Sequence, residues 1–183
     1  MPNQTLFQAV YPSPLGSIQV LASERGLSSL DFHEKNPGFQ DLRDLDPGLE
    51  KALAHYFSTY FKGLGPDLPP LTLDLQGTPF QKAVWDLTKN IPYGALVTYG
   101  DLAKILGEKL EKPSMSARAL GTTLGKNPLP LLIPCHRVIG KDRNLRGYAY
   151  GLPMKKYLLN LEGHEIFENR VLPRKNSCLK TFL

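Results

Sequence analysis

The segment Asn127-Pro128-Leu129-Pro130-Leu131-Leu132-Ile133-Pro134 restricts the possible folds of this chain more than any other stretch. Its three prolines fix φ and remove backbone donors, which disfavours a regular helix. The other residues are mostly apolar, so the segment is expected to be extended, stiff and packed against a core. Because it ends at Cys135, we expect it to hold that cysteine in a fixed position.

Capping and turn signals elsewhere predict two differently built halves. Residues 6–32 alternate polar and apolar positions around turns, which is typical of a strand meander. Asp46-Pro47 predicts a helix start, with the aspartate as N-cap, and Gly63 predicts its end. Thr78-Pro79-Phe80-Gln81 is a capping-box pattern that opens another helix.

The second half also contains a predicted pair of short helices. One is expected over residues 97–107, and the next from a Ser114 cap to about Gly125. Two short helices across a brief polar link resemble a helix-turn-helix, although this link is long for the tightest version. Residues 137–149 suggest a small hairpin, and residues 152–162 are interpreted as the last helix.

These elements define an α/β fold class with two domains and a tail. We expect residues 1–76 to form a small N-terminal strand-meander-plus-helix domain. Residues 77–165 are expected to form a mainly helical C-terminal domain with a helix-turn-helix (winged-helix-like) unit. Residues 166–183 are expected to be an extra, partly disordered tail.

Charge is divided unevenly between the halves. Residues 1–76 hold five Lys and Arg against nine Asp and Glu, a net of −4. Residues 77–183 hold 17 against eight, a net of +9. A basic half is typical of a polyanion binder. A solvated lysine-rich surface would give the same excess, so the charge alone leaves both interpretations open.

Length and composition exclude several protein classes. The 183 residues, 42% hydrophobic, suffice for a core, but no apolar run approaches the roughly 20 residues of a transmembrane helix. The start, Met1-Pro2-Asn3-Gln4, lacks a signal-peptide pattern, so we expect a soluble, cytoplasmic protein. Cys135 and Cys178 are too few for a disulfide framework or four-thiolate zinc site, and Cys178 is expected to be an incidental surface thiol.

The second helix of the pair has a face of small residues. Ala117, Ala119, Gly121 and Gly125 share this stretch with Arg118. An interior glycine costs a helix about 1 kcal/mol relative to alanine, which usually means that something approaches the backbone closely. The approaching group is either a neighbouring helix or, in this basic half, a nucleic acid.

The sharpest feature is Ile133-Pro134-Cys135-His136-Arg137-Val138-Ile139. A free cysteine is often a small buried hydrophobe, but the following His-Arg suggests a reactive one. The thiolate is the nucleophilic form, and an adjacent positive charge or base lowers the thiol pKa. Adjacent strand side chains point in opposite directions, so His136 is expected to reach Cys135 through a water.

With these residues the chain resembles the O6-alkylguanine-DNA alkyltransferases, also called methylated-DNA–protein-cysteine methyltransferases. The seven residues 133–139 match the family's highly specific active-site signature completely. The resemblance extends over residues 78–163 and is only generic in the N-terminal half. It includes Thr98-Tyr99-Gly100-Asp101-Leu102-Ala103, Ala117-Arg118-Ala119-Leu120-Gly121, Asn127-Pro128-Leu129-Pro130, Gly147-Tyr148-Ala149-Tyr150-Gly151 and Leu161-Glu162-Gly163.

The resemblance implies a single-turnover displacement at the alkyl carbon on guanine O6. Cys135 would be the nucleophile and final acceptor, His136 its base through a water, and Glu162 the carboxylate that orients His136. Tyr99 would donate a proton to the leaving guanine. Without the resemblance, Glu162 is interpreted as a solvated helix-end carboxylate and Tyr99 as a half-buried aromatic.

The resemblance also implies how DNA would be held. Arg118 would enter the duplex and fill the space of a flipped base. Ala117, Ala119 and Gly121 would let the helix enter the narrow minor groove, where bulky side chains do not fit. Asn127 would tie the turn near the cysteine. Phosphate contacts should dominate affinity, because no sequence reading is needed.

The predicted substrate pocket is closed by the loop Tyr148–Gly151. Ala149 stands where some relatives have serine, but its backbone N–H can still hold guanine O6. Tyr150 stands where some relatives have glycine and others an aromatic residue. We expect its ring to crowd the pocket and disfavour large alkyl groups.

The predicted partner is double-stranded DNA carrying alkylated guanine, bound by a monomer that clusters on DNA or acts alone. No membrane partner and no cofactor are expected. No metal site is expected either, because the N-terminal half lacks cysteine and His33 and His55 alone are too few.

Three other functions compete with repair. Relatives that bind alkylated DNA without repairing it lack the cysteine, whereas Cys135 is present. A helix-turn-helix regulator would carry polar base readers such as Asn or Gln where this helix has Ala and Gly. A thiol hydrolase would need an oxyanion hole and a peptide cleft, to which nothing in the sequence points.

Overall fold

The computed structural model describes residues 6–38, 42–111 and 115–173. The Ser114 cap and the Cys178 surface thiol predicted above lie outside these residues. The chain clusters into two compact units, Met1–Gln76 with Pro128–Pro130 and Gly77–Asn127 with Leu131–Leu183. The mixed α/β class is confirmed.

Among its described residues, the first unit consists of a four-stranded sheet and one helix. The three long strands form the predicted antiparallel meander, and a short fourth strand pairs in parallel with the first, in the order β3-β2-β1-β4. Asp46 caps the helix through Leu49 N at 3.0 Å, and Pro47 is its first residue, as the sequence predicts. The elements are β1 (Phe7–Ser13), β2 (Gly16–Ser23), β3 (Gly26–His33), β4 (Arg43–Asp44) and α1 (Pro47–Phe61).

The second unit is mainly helical. Its first helix starts with the predicted capping box, because Thr78 accepts from Gln81 N at 3.2 Å and Gln81 Oε1 accepts from Thr78 N at 2.9 Å. Four short strands complete the described part of this unit. Its elements are α2 (Pro79–Lys89), β5 (Val97–Thr98), α3 (Tyr99–Lys109), α4 (Ala117–Leu124), a 3-10 turn (Cys135–Arg137), β6 (Val138–Ile139), α5 (Gly151–Leu161), β7 (Ile166–Phe167) and β8 (Arg170–Val171).

Helices α3 and α4 form the predicted helix pair, with changed ends. Gly107 does not close α3, which runs on to Lys109, because Gly107 is buried inside the helix packing. The N-cap of α4 is Ser116, whose Oγ accepts from Ala119 N at 3.4 Å. Leu120 and the apolar residues behind it join one core with α2 and α3, which turns the small-residue face outward.

In the hairpin predicted over residues 137–149 the strand pairing is wrong, although a turn does form there, with Gly140 N donating to the Asn144 carbonyl at 2.9 Å. Cys135 to Arg137 form a 3-10 turn, and Val138–Ile139 pair in parallel with Val97–Thr98 instead of with residues 145–149. Parallel pairing with a distant strand leaves 140–150 as a loop. The physical reason is that β6 is completely buried, so it needs a partner inside the core.

The tail prediction is wrong for residues 166–173. Strands β7 and β8 pair antiparallel, and Val171 is buried with Ile139, Leu145 and Leu159. The physical reason is that Val171 completes a small core with residues distant in the chain, and no local pattern predicts such a contact. The described part of the chain contains no helix with the length and apolarity needed to cross a membrane.

Candidate active site

Cys135 is held where the proline-rich segment ends. It begins the 3-10 turn, and only 6% of it is exposed. The Asn127 side-chain amide donates to Cys135 Sγ at 3.1 Å and to the Ile133 carbonyl at 2.7 Å. One amide therefore ties the start of the segment to its end and directs a proton at the sulfur.

His136 and Glu162 form a completely buried pair. His136 Nε2 lies 2.8 Å from Glu162 Oε1, and neither side chain is exposed. Burial raises the pKa of Glu162, but His136 and Arg137 outweigh it and hold that pKa far below its usual range. An ionised carboxylate only accepts hydrogen bonds, so Nε2 carries the proton and Nδ1 is the basic nitrogen.

Arg137 completes the charge balance around Glu162. Its Nε lies 2.9 Å from Oε2, its Nη2 lies 2.9 Å from Oε1, and its Nη1 donates to the Ile91 carbonyl at 2.6 Å. Gly94 N also donates to Oε2 at 3.0 Å. The guanidinium is therefore held by the Glu162 carboxylate and the Ile91 carbonyl, and it does not act as the activating charge on Cys135.

Burial sets the resting protonation states of the thiol and the imidazole. It raises the pKa of Cys135, against the lowering effects of the Asn127 hydrogen bond and the Lys155 charge. Burial likewise lowers the pKa of His136. The thiol is then protonated and the imidazole neutral near pH 7, which is the pairing that a nucleophile and its base need.

Two tyrosines flank the thiol. Burial, with a smaller effect of the Cys135 charge, raises the pKa of Tyr99 to about 12. The same two causes raise the pKa of Tyr148. Both phenols therefore keep their protons at neutral pH. The Tyr148 hydroxyl is buried and has no hydrogen-bond partner among the described residues.

A cavity of about 830 Å³ opens between α4 and the loop that follows β6. Tyr99 and Tyr148 line it, and the charge of Cys135 acts on both phenols, so the cavity lies close to the thiol. The remaining lining residues are Gly100, Ala117, Arg118, Gly121, Thr122, Gly125, Gly140, Lys141, Arg146, Gly147 and Ala149.

Three of the four small residues, Ala117, Gly121 and Gly125, line this cavity. A Cβ added to Gly121 would meet only Tyr99 Cε1, at an ordinary 3.8 Å. Ala117 and Gly125 are exposed. The fold itself therefore does not require a glycine at 121, which disfavours tight helix packing as the explanation of this face.

The other residues predicted for the site lie in several places. Asn127 contacts the sulfur and not the cavity. Ala119 is exposed but lies outside the cavity lining, as do Tyr150 and Gly151. The Tyr150 ring lies 5.9 Å from the Tyr148 ring, so it packs beside the lining residue.

Several residues at the site were missed by the sequence reasoning. The cavity is also lined by Lys141, Arg146 and Thr122. The only sequence feature that pointed to these residues was their position in the basic half of the chain. Lys155 is completely buried. The burial of Lys155 could have been predicted, because it lies on the same helix face as the apolar Leu152 and Leu159, where a charged residue is unusual.

Within residues 6–38, 42–111 and 115–173, no three His, Cys, Asp or Glu side chains cluster in a way that would hold a metal ion.

The fold and the site define a class of α/β proteins in which a buried cysteine with a histidine–carboxylate pair lies beside a helix-turn-helix. Comparison with known proteins narrows the class. Residues 79–164 match the "6-O-methylguanine DNA methyltransferase, DNA binding domain" family, and residues 6–75 match its "ribonuclease-like domain". The chain belongs to the 6-O-methylguanine DNA methyltransferase family.

Individual relatives agree with this assignment. The chain is 37% identical over 161 residues to a methylated-DNA–protein-cysteine methyltransferase of Haemophilus influenzae, covering 86% of each chain. It is 36% identical to one of Methanosarcina acetivorans, covering 86% of this chain and 99% of the relative. The Mycobacterium tuberculosis OGT in complex with DNA is 33% identical, with a TM-score of 0.69 and coverage of 87% and 93%.

Proposed function

We propose that this chain repairs DNA by moving an alkyl group from guanine O6 irreversibly onto Cys135. Membership of the methyltransferase family supports the reaction class. The observation that carries the residue assignment is the buried His136–Glu162 pair next to Cys135. A buried imidazole held in one tautomer is a base positioned for the neighbouring thiol.

The proposed reaction is a displacement in which the protons balance. His136 Nδ1 takes the thiol proton through a water, and the thiolate attacks the alkyl carbon. The sulfur–carbon bond forms as the carbon–O6 bond breaks, and its electron pair stays on guanine. Tyr99 gives the guanine a proton, and the imidazolium restores that proton through solvent. A thioether is not cleaved by water, so each molecule reacts once.

The proposed partner is duplex DNA, contacted through α4. Arg118 is exposed at the cavity mouth, where it can fill the space of a flipped base. The small face of Ala117 and Gly121 suits the narrow minor groove. The base would enter the cavity, with Tyr148 and Ala149 around it.

The remaining assignments belong to the same proposal. The protein acts inside the cell as a monomer, and the catalytic and DNA-binding domain starts at residue 77. That domain was predicted to end at residue 165. We now extend it to residue 173, because Val171 is buried with residues of the second unit.

The proposal is tested with a duplex oligonucleotide that carries O6-methylguanine. We expect the protein to gain one methyl mass, and peptide mapping to place it on Cys135. Cys135→Ser should gain nothing and still bind DNA, whereas the control Cys178→Ser should react normally. More than one turnover per molecule under excess substrate contradicts the mechanism. Binding without any mass gain would instead indicate a protein that recognises the lesion without repairing it.

A further inference from the structure

The cavity loop, which we define as residues 140–150, carries residues that line the cavity and is bonded to the β7–β8 hairpin. Leu145 N donates to the Asn169 carbonyl at 2.6 Å, and Val171 N donates to the Arg143 carbonyl at 3.0 Å. An isolated antiparallel bridge lies between these two bonds. The hairpin therefore pairs with the cavity loop as a neighbouring strand would.

Arg143 adds a side-chain clamp to this backbone pairing. Its Nε donates to the Val171 carbonyl at 3.0 Å, and its Nη2 donates to the Leu172 carbonyl at 3.1 Å. A guanidinium presents its donors in a rigid planar fork, so two bonds to successive carbonyls fix both the direction and the distance of the bound strand. The side chain is half-buried, which partly shields these bonds from water.

The backbone of Arg143 has a conformation that favours glycine. Its φ is +63°, in the left-handed region, where a residue with a Cβ is strained. Such strain persists only where the surrounding structure offsets it, and here the two hydrogen bonds of the clamp do so. Glycine would satisfy the turn alone, so the arginine is explained by what its side chain holds.

The clamp is close in sequence to the cavity wall and separate from the reacting groups. Arg143 is followed at positions 146–149 by four residues that line the cavity. The side-chain hydrogen bonds described above for the thiol, the imidazole and the buried carboxylate come from residues 94–137 and from one another. Loss of the clamp should therefore move the cavity wall and leave the nucleophile and its base in place.

We propose that Arg143 is a positioning residue that fastens the cavity loop to the β7–β8 hairpin, so that the hairpin fixes the wall against which the alkylated base is held. The proposal rests on the proposed function, because it requires that the cavity receives the base. It assigns to β7 and β8 a part in the reaction, although the residues that line the cavity come from other elements.

The clamp is tested with two replacements of Arg143 in the full chain. Arg143→Gly removes both side-chain hydrogen bonds and also relieves the left-handed backbone, so the fold should be retained. Arg143→Lys keeps the charge but has no fork with which to bond two carbonyls. Arg170→Ala removes an exposed arginine from the same hairpin and is the matched control for the loss of one positive charge.

Amide hydrogen exchange, which needs no DNA, reports whether the clamp holds the two segments together. The Leu145 and Val171 amides donate between the cavity loop and the hairpin. We expect both Arg143 variants to exchange these amides about tenfold faster, the factor expected for the loss of one to two hydrogen bonds. Arg170→Ala should leave their exchange unchanged. Unchanged exchange in Arg143→Gly overturns the proposal.

Methyl transfer is then followed at increasing concentrations of a duplex that carries O6-methylguanine. The half-saturating DNA concentration depends on phosphate contacts, whereas the maximal rate depends on how the base is held against Cys135. We expect both Arg143 variants to lower the maximal rate about fivefold and to leave the half-saturating concentration unchanged. Arg170→Ala should leave the maximal rate unchanged.

Two results of the transfer measurement also overturn the proposal. A maximal rate equal to that of the parent protein, with fewer molecules reacting, is expected if Arg143 only stabilises the fold. A rate that falls in Arg143→Gly and is completely restored in Arg143→Lys would assign the effect to the charge. If the parent protein itself transfers no methyl group, the proposed function fails, and the exchange measurement still decides whether the clamp exists.

Discussion

Glu162 is the residue on which the buried charges of the site depend. It accepts hydrogen bonds from His136, from Arg137 and from the backbone of Gly94. The carboxylate is completely buried, so solvent water cannot replace these donors if one of them is lost. The carboxylate therefore both holds the imidazole and compensates the guanidinium, and the two roles are lost together.

Replacement of this carboxylate should destabilise the protein strongly. Glu162→Gln leaves Arg137 buried without its counter-ion, which typically costs about 3–5 kcal/mol. The measurement is the free energy of unfolding in urea, with the exposed Glu108→Gln as the matched control. A loss no larger than that of the control would show that Arg137 finds another partner.

The buried imidazole should make stability fall in mild acid. Burial lowers the pKa of His136 in the folded state, so between that pKa and the unfolded value of about 6.5 the unfolded chain binds more protons. Stability is then fully present above about pH 6.5 and is lost as the pH falls. The lowered pKa of Glu162 acts in the same direction, but only below its unfolded value of about 4.3.

The check is the difference in unfolding free energy between pH 7.5 and pH 5. His136→Gln should shrink this difference, whereas the exposed control His55→Gln should not. An equal acid loss in His136→Gln and the parent protein would assign the effect to other groups.

Single residues differed in how far the sequence could predict them. The prediction that Cys135 is reactive depends on its immediate neighbours in the sequence. The contact of Arg137 with Glu162 joins residues far apart in the chain, and no local pattern specifies such a pair. The sequence also suggested a thiol pKa lowered by adjacent positive charge. The structure shows the opposite direction, because burial dominates and the Arg137 charge is taken up by Glu162.

At the scale of elements, helices were predicted well because their signals are local. The caps at Asp46 and Thr78 depend on residues three positions apart, and both formed as expected. Strands β5 and β6 have two residues each and lie far apart in the chain, so they gave no periodic signal. The 3-10 turn at Cys135–Arg137 was missed as well, because three residues are too few to show a period.

The loop before α5 carries a prediction about alkyl-group size. Tyr150 packs against Tyr148, which lines the cavity, so its effect on the substrate would pass through that ring. Tyr150→Gly should let Tyr148 move aside and speed reaction with benzylated guanine more than with methylated guanine. The rate on both substrates is the measurement, and Tyr150→Phe, which keeps the ring, is the control. An unchanged or smaller benzyl-to-methyl ratio in Tyr150→Gly contradicts the idea.

At the scale of the whole molecule, the basic charge of residues 77–183 should govern DNA affinity. Phosphate contacts make binding fall steeply with salt.

Arg118→Ala should weaken repair of duplex DNA and spare the free O6-alkylguanine base, because only a duplex needs its vacancy filled. Repair rates on both substrates check this, with the exposed Lys126→Ala as control. Equal losses on the two substrates would contradict the proposal that Arg118 fills the space of the flipped base.

The assignment of Pro128–Pro130 to the first unit has a consequence for synthesis of the chain. Leu30 N donates to the Pro128 carbonyl at 2.8 Å, and Leu129 is completely buried. A ribosome that has released residues 1–76 has therefore not yet supplied everything the first unit contains. Leu30 of strand β3 lacks this hydrogen-bond partner until about half of the second unit has emerged. Folding during translation is then not strictly one domain after the other, as it is for chains whose domains are continuous.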